Sequence, residues 1–263
     1  MTTPSEDPRP RFVPPPVAVG HGGTGGATGD STGPRPVGRR ARPRLAPAPW
    51  GVRDVVVATA VGLGVPLVVG RLLPYHITAV PLLATSVVVL VFTLLQDVWF
   101  VGWAWALSLR RHALGLREWG FRRPGLSILW LVPLCLVIDV AVTIAVAPFL
   151  RPSGRSIVEV FPHTLAGGVL LALSAVVMAP LMEEVFFRGF LFRGLLARCG
   201  PVWSAVISAA LFAAVHREPS RILPLFVAGL LLAWVYYRTR SLWTSIALHA
   251  SVNALVFVLW LLV

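Results

Sequence analysis

From residue 52 to its end, the chain is a series of apolar segments of bilayer-spanning length: about 52–73, 79–109, 126–150, 165–196, 201–216, 221–238 and 242–263. A helix crossing the hydrocarbon needs about 20 such residues. The second and fourth segments exceed that length and can tilt or extend beyond the hydrocarbon, while 201–216 falls short of it. Backbone N–H and C=O groups in lipid must be satisfied within the chain, and segments of this length achieve that as helices. The expected fold class is therefore all-α: a polytopic transmembrane helical bundle of about seven spans. Composition agrees, with 56% hydrophobic residues, 13% charged residues and a mean hydropathy of +0.78; soluble domains carry about 25% charged residues. No internal repeat is visible, which argues against a transporter built from inverted repeats.

The formal net charge is +12, and every basic residue is arginine. Without lysine, Schiff-base chemistry and Ser–Lys dyads are excluded. The arginines sit in an N-terminal tail and between apolar segments, a distribution that topology explains better than nucleic-acid binding, so no nucleic-acid partner is expected. The linkers 110–125, 197–200 and 239–241 with their helix ends carry more arginine than 74–78, 151–164 and 217–220. With the run Arg35, Arg39, Arg40, Arg42 and Arg44, this predicts a cytoplasmic N-terminus and an outer C-terminus, in a multi-pass protein of the plasma (cytoplasmic) membrane. Residues 1–48 are rich in Pro, Gly, Ser, Thr and Arg and lack an apolar period, which predicts a disordered tail; no apolar core of a signal peptide lies near Met1. The expected organisation is that tail, then two helices and a basic loop over 49–125, then a helical core over 126–263. Cys135 and Cys199 have neither metal-motif spacing nor the look of a disulfide framework.

Three segments carry polar groups that do not belong in lipid. The fourth has Glu183, Glu184 and Arg188, the fifth Phe212 and His216, the seventh His249 and Asn253. One carboxylate at the centre of a spanning helix costs roughly 2.5–3.5 kcal/mol on insertion scales, so two adjacent ones imply a function. Glu184 and Arg188 are four residues apart and share a helix face, which predicts an ion pair; Glu183 points roughly 100° away and is freer. His249 and Asn253 also share a face. Pro201 suits a helix start and Gly200 a helix end. Glu183 then lies roughly 20 Å, and His216 roughly 22 Å, from the turn between their helices, so antiparallel packing brings them to similar depth. His249 is only roughly 12 Å from Ser241, and its helix must sit deeper or tilt.

A glutamate kept from bulk water can act as general base on a water. His216 and His249 can orient that water, protonate a leaving amine or bind a metal; two His and one Glu form a known catalytic zinc set, so Glu183, His216 and His249 are also candidate Zn²⁺ ligands. Asn253 with a histidine can stabilise a tetrahedral oxyanion. The reaction class this favours is water-mediated amide cleavage within a membrane cavity. The plainer readings are a structural cluster of the two glutamates with Arg188, and interhelical hydrogen bonding by His249 and Asn253. Asp97 and Asp139 are further intramembrane acids, expected to pair with arginine or line a cavity.

Glu183-Glu184-x-x-x-Arg188, Phe212-x-x-x-His216 and His249-x-x-x-Asn253 resemble the three motifs of the CAAX protease and bacteriocin-processing (CPBP) family, which includes type II CAAX prenyl endopeptidases and lysostaphin resistance protein A-like proteins. The resemblance covers about residues 125–260. It implies an intramembrane endopeptidase acting on a peptide or membrane-protein substrate. Glu183 would activate the water, and His216, His249 and Asn253 would complete the site. Glu184, Arg188 and Phe212 would hold structure or substrate. It leaves a metal-dependent and a metal-free glutamate mechanism both open. The alternative is a non-catalytic immunity or scaffold protein of the same family.

Overall fold

The computed structural model describes residues 45–72, 82–150 and 157–262. The tail up to residue 44 and His76 lie outside the described residues. Among those described there are helices and turns and no strand. Helix α1 is Val52–Leu72; α2 is Leu82–Trp105, extended by a wide π turn over Ala106–Arg110; α3 is Ile128–Val146. Next comes a 51-residue run, Leu165–Val215. It is interrupted at Gly200, whose φ of 67° and ψ of 174° are not helical. We call its two parts α4 (165–199) and α5 (201–215). Helix α6 is Ile222–Thr239 and α7 is Leu242–Leu262. Glycine adopts that left-handed φ without steric cost, and Pro201 restarts a helix because its missing N–H is not needed there.

Five helices among the described residues are long and apolar enough to cross a membrane: Leu82–Arg110, Ile128–Phe149, Leu165–Val215, Pro219–Thr239 and Leu242–Leu262. The expected count of seven is thus approximate, since 165–196 and 201–216 belong to one run and 52–73 stands apart as α1. The fold is a polytopic transmembrane helical bundle.

Helix α4 is its centre. Residues Val185–Phe192 are buried on every side, which a helix tolerates only when neighbours surround it. Phe186, Phe187, Phe190 and Phe192 join Trp50, Phe100, Trp119, Phe212 and Tyr236 in the main core. The run contains two π-helical stretches, Ala172–Met178 and Val185–Phe192. Carbonyls within them accept side-chain donors from other elements: Phe187 O from Ser208 at 3.1 Å, Phe190 O from Trp50 Nε1 at 3.0 Å and Ala175 O from Asn253 Nδ2 at 2.7 Å. Such wide turns often occur at functional sites, and away from water they need these donors.

Packing extends beyond the apolar segments in two places. Leu45 and Trp50 are buried in the core, so packing begins within the last residues of the stretch expected as tail. The basic linker after α2 is also folded. Its Leu116–Trp119 turn buries Trp119, whose carbonyl accepts from Tyr236 Oη at 2.8 Å and whose Nε1 donates to Ser108 Oγ at 3.1 Å. Gly120 O accepts from Leu242 N and Arg122 O from Ser241 Oγ, which fastens this loop to the α6–α7 turn.

Candidate active site

Glu184 and Arg188 are fully buried and paired at 2.8 Å (Oε1 to Nη1), as their four-residue spacing predicts. Arg188 also donates from Nη2 to Gly229 O on α6 at 3.0 Å, and its guanidinium lies 4.7 Å over the Phe212 ring. Gly229 permits that approach: a Cβ there would stand 2.9 Å from Cα and Cβ of Ala209 on α5. An arginine in lipid is tolerable only with such partners, because unpaired burial of charge costs several kcal/mol.

Glu184 has a second role that spacing along one helix does not reveal. Its Oε1 also meets His249 Nδ1 on α7 at 3.0 Å. A carboxylate only accepts, so Nδ1 carries the hydrogen and Nε2 is left as the open nitrogen. Nε2 faces Glu183 Oε2 at 3.9 Å, beyond a direct hydrogen bond and within reach of one bridging water. Glu183 Oε2 is buried and has no hydrogen-bond partner. His216 repeats the arrangement: its Nδ1 donates to Phe212 O at 2.7 Å, which frees Nε2. The Phe212 ring lies between the two imidazoles, with centroids 4.7 Å from His216 and 5.6 Å from His249.

Glu183, Phe212, His216, His249 and Asn253 all line one cavity of about 280 Å³. Its other walls are mostly apolar, among them Leu90 of α2, Cys135 of α3, Leu232 of α6 and Val256 of α7. The 100° offset expected between the adjacent glutamates therefore separates their surroundings: Glu183 faces the cavity and Glu184 the buried arginine. Asn253 spends one of its two amide hydrogens on Ala175 O, leaving the other available. Ser245, which could mimic a Ser–His pair, donates instead to Leu242 O. His163 is exposed and stacks on Trp260, with ring centroids 4.3 Å apart. Asp139 lines the cavity, and Asp97 is buried on α2. Both cysteines are free. Among the described residues, no group of three or more His, Cys, Asp or Glu side chains is placed to hold a metal ion. The Zn²⁺ set expected from Glu183, His216 and His249 is therefore not gathered as a metal site.

A membrane-embedded bundle with a buried acid–imidazole cluster is the class that fold and site define. Comparison with known proteins narrows it. Residues 165–255 match the family model described as type II CAAX prenyl endopeptidase Rce1-like. The chain is 27% identical over 92 residues, 35% of its length, to the Bacillus subtilis (strain 168) protein named "Putative membrane peptidase YdiL". It is 29% identical over 132 residues, 48% of its length, to an Escherichia coli protein named "Uncharacterized 24.3 kDa protein". The matches span 38% and 61% of those relatives' own lengths. No solved structure matches at the same stringency. The matched segment contains Glu183, Phe212, His216, His249 and Asn253. Family and relative names support a protease-type function.

Proposed function

We propose that the protein is an intramembrane endopeptidase in which Glu183 activates a water for attack on a peptide bond. The observation that carries this reading is the convergence of Glu183, His216, His249 and Asn253, from three helices, on one cavity. A water between Glu183 Oε2 and His249 Nε2 donates one hydrogen to each, and its lone pairs then face the cavity. Glu183 takes a proton as the water oxygen bonds to the carbonyl carbon. The second amide hydrogen of Asn253 donates to the resulting oxyanion, a contact worth more in this water-poor site than in solution. When the C–N bond breaks, Glu183 returns its proton to the leaving amine. His216 faces the same space with Nε2 and, when protonated, assists either the oxyanion or the amine. Glu184 holds His249 in the productive tautomer, and Arg188 holds Glu184 in place. No step passes through a metal.

The test is cleavage of a quenched-fluorescent peptide library by the purified full-length protein in proteoliposomes. Glu183→Gln is expected to lower cleavage by about 10²–10⁴-fold while the melting temperature is kept. A folded Glu183→Gln protein that still cleaves at the wild-type rate overturns the assignment. A Glu183→Gln protein that has lost cleavage yet retains the protein's cellular role favours the non-catalytic immunity or scaffold reading instead. Chelator is expected to leave cleavage intact, because the donor side chains gather no metal site among the described residues.

A further inference from the structure

Asp139 on α3 lies outside the matched segment, and the mechanism above does not use it. It is only 7% exposed, yet it lines the active-site cavity, and no hydrogen bond or ion pair engages it among the described residues. One turn earlier on the same face, Cys135 lines the same wall. The charged groups that reach Asp139 electrostatically are His249 on α7 and Arg221 on the turn before α6. Neither makes an ion pair with it. His249 is held by Glu184, and Arg221 pairs with Glu218 at 3.2 Å, a residue that also lines the cavity. The cavity lining therefore carries three carboxylates, Glu183, Glu218 and Asp139; Glu183 faces His249 and Glu218 pairs with Arg221, which leaves Asp139 without an ion pair of its own among the described residues. Glu183 has its function in activating water. An ionisable side chain is costly to place in a membrane span, and one left unpaired on a cavity wall marks a functional site whose partner can arrive from outside.

We propose that Asp139 is a substrate-recognition residue that pairs with a cationic side chain, lysine or arginine, near the scissile bond of the peptide. This rests on the endopeptidase reading and adds a specificity to it. A cation entering beside Asp139 supplies the ion-pair partner that this side chain lacks, while the aliphatic stem of a lysine or arginine covers the apolar wall. The pairing is desolvated, so its loss should appear strongly in discrimination between substrates.

The experiment compares peptides differing at one position, lysine against the neutral norleucine, with full-length protein in proteoliposomes. Wild type is expected to prefer lysine, and Asp139→Asn to reduce that preference in kcat/KM by about tenfold or more. Asp139→Glu should keep the preference, and Asp139→Arg should transfer it to a glutamate peptide. A wild-type protein indifferent to lysine, or an Asp139→Asn protein that retains the full preference, overturns the proposal. Binding separates this failure from failure of the protease reading. The Glu183→Gln protein in nanodiscs should bind the lysine peptide more tightly than the norleucine peptide, and adding Asp139→Asn should remove the difference. That selectivity without any wild-type cleavage would retain Asp139 as a recognition residue and reject the peptidase. Equal binding of both peptides overturns the recognition role whether or not the protein cleaves.

Discussion

At the scale of single residues, Glu184 is the most connected group in the site. One oxygen receives both Arg188 Nη1 at 2.8 Å and His249 Nδ1 at 3.0 Å. Breaking a buried pair by removing one partner costs about 3–5 kcal/mol, because the other charge remains buried and uncompensated. Glu184→Ala should therefore lower both the melting temperature and cleavage. Replacing both partners by apolar residues, as Glu184→Leu with Arg188→Met, should recover most of the melting temperature, since an apolar substitute for a buried pair is often neutral. Cleavage should stay low in this double variant, because His249 still lacks the carboxylate that fixes its tautomer. If activity returns with stability, Glu184 serves folding alone. The single-residue pattern was partly legible. The four-residue spacing announced the Glu184–Arg188 pair, but His249 is 65 positions away in sequence, and no spacing rule links it to Glu184.

At the scale of elements, the site depends on how closely α5 and α6 approach. Gly229 sits against Ala209, where a Cβ would come within 2.9 Å of backbone and side chain, and its carbonyl meets Arg188. Gly229→Ala gains up to about 1 kcal/mol of helix propensity. Overpacking costs about 1–3 kcal/mol, so the net change should be destabilising, and thermal unfolding in detergent measures it. Gly64 in α1 is the control: a Cβ there meets nothing within 4 Å, and Gly64→Ala should stabilise by up to about 1 kcal/mol. Helix α4 shows where local reading stops. Its apolar run and its Gly200–Pro201 boundary are written in the residue types, whereas its two π-helical stretches are not. Donors from elsewhere, Ser208, Trp50 and Asn253, meet carbonyls in those stretches, and only packing places them there. For Asn253 this changes the expectation, because part of its amide is committed to joining α7 to α4.

At the scale of the whole molecule, the N-terminal elements brace the matched domain. Trp50 stacks on Phe190 with ring centroids 6.1 Å apart, donates to its carbonyl, and lies under the Arg193 guanidinium at 5.5 Å. A Cβ on Gly194 would collide with Val55 and Trp50, so α1 seats directly on α4. Trp50→Ala should cost about 3–5 kcal/mol, a typical loss for truncating a buried aromatic. Trp50 does not line the cavity, so kcat of the folded fraction should hold while the melting temperature falls. A parallel fall in kcat would mean that this brace also shapes the site.

The sequence alone determined that the chain is a helical membrane bundle, because only helices satisfy the backbone of apolar segments this long in lipid. It also determined the boundaries of most helices and which polar side chains share a face, since 3.6-residue periodicity is a local property. Tertiary structure decided which of those faces meet. It turned Glu183 toward the cavity and Glu184 toward Arg188 and His249, closed the basic loop over the end of α6, and left Asp139 on the cavity wall without a hydrogen bond or ion pair among the described residues. Those outcomes depend on contacts between residues far apart in the chain, and their energies are settled only when the helices pack.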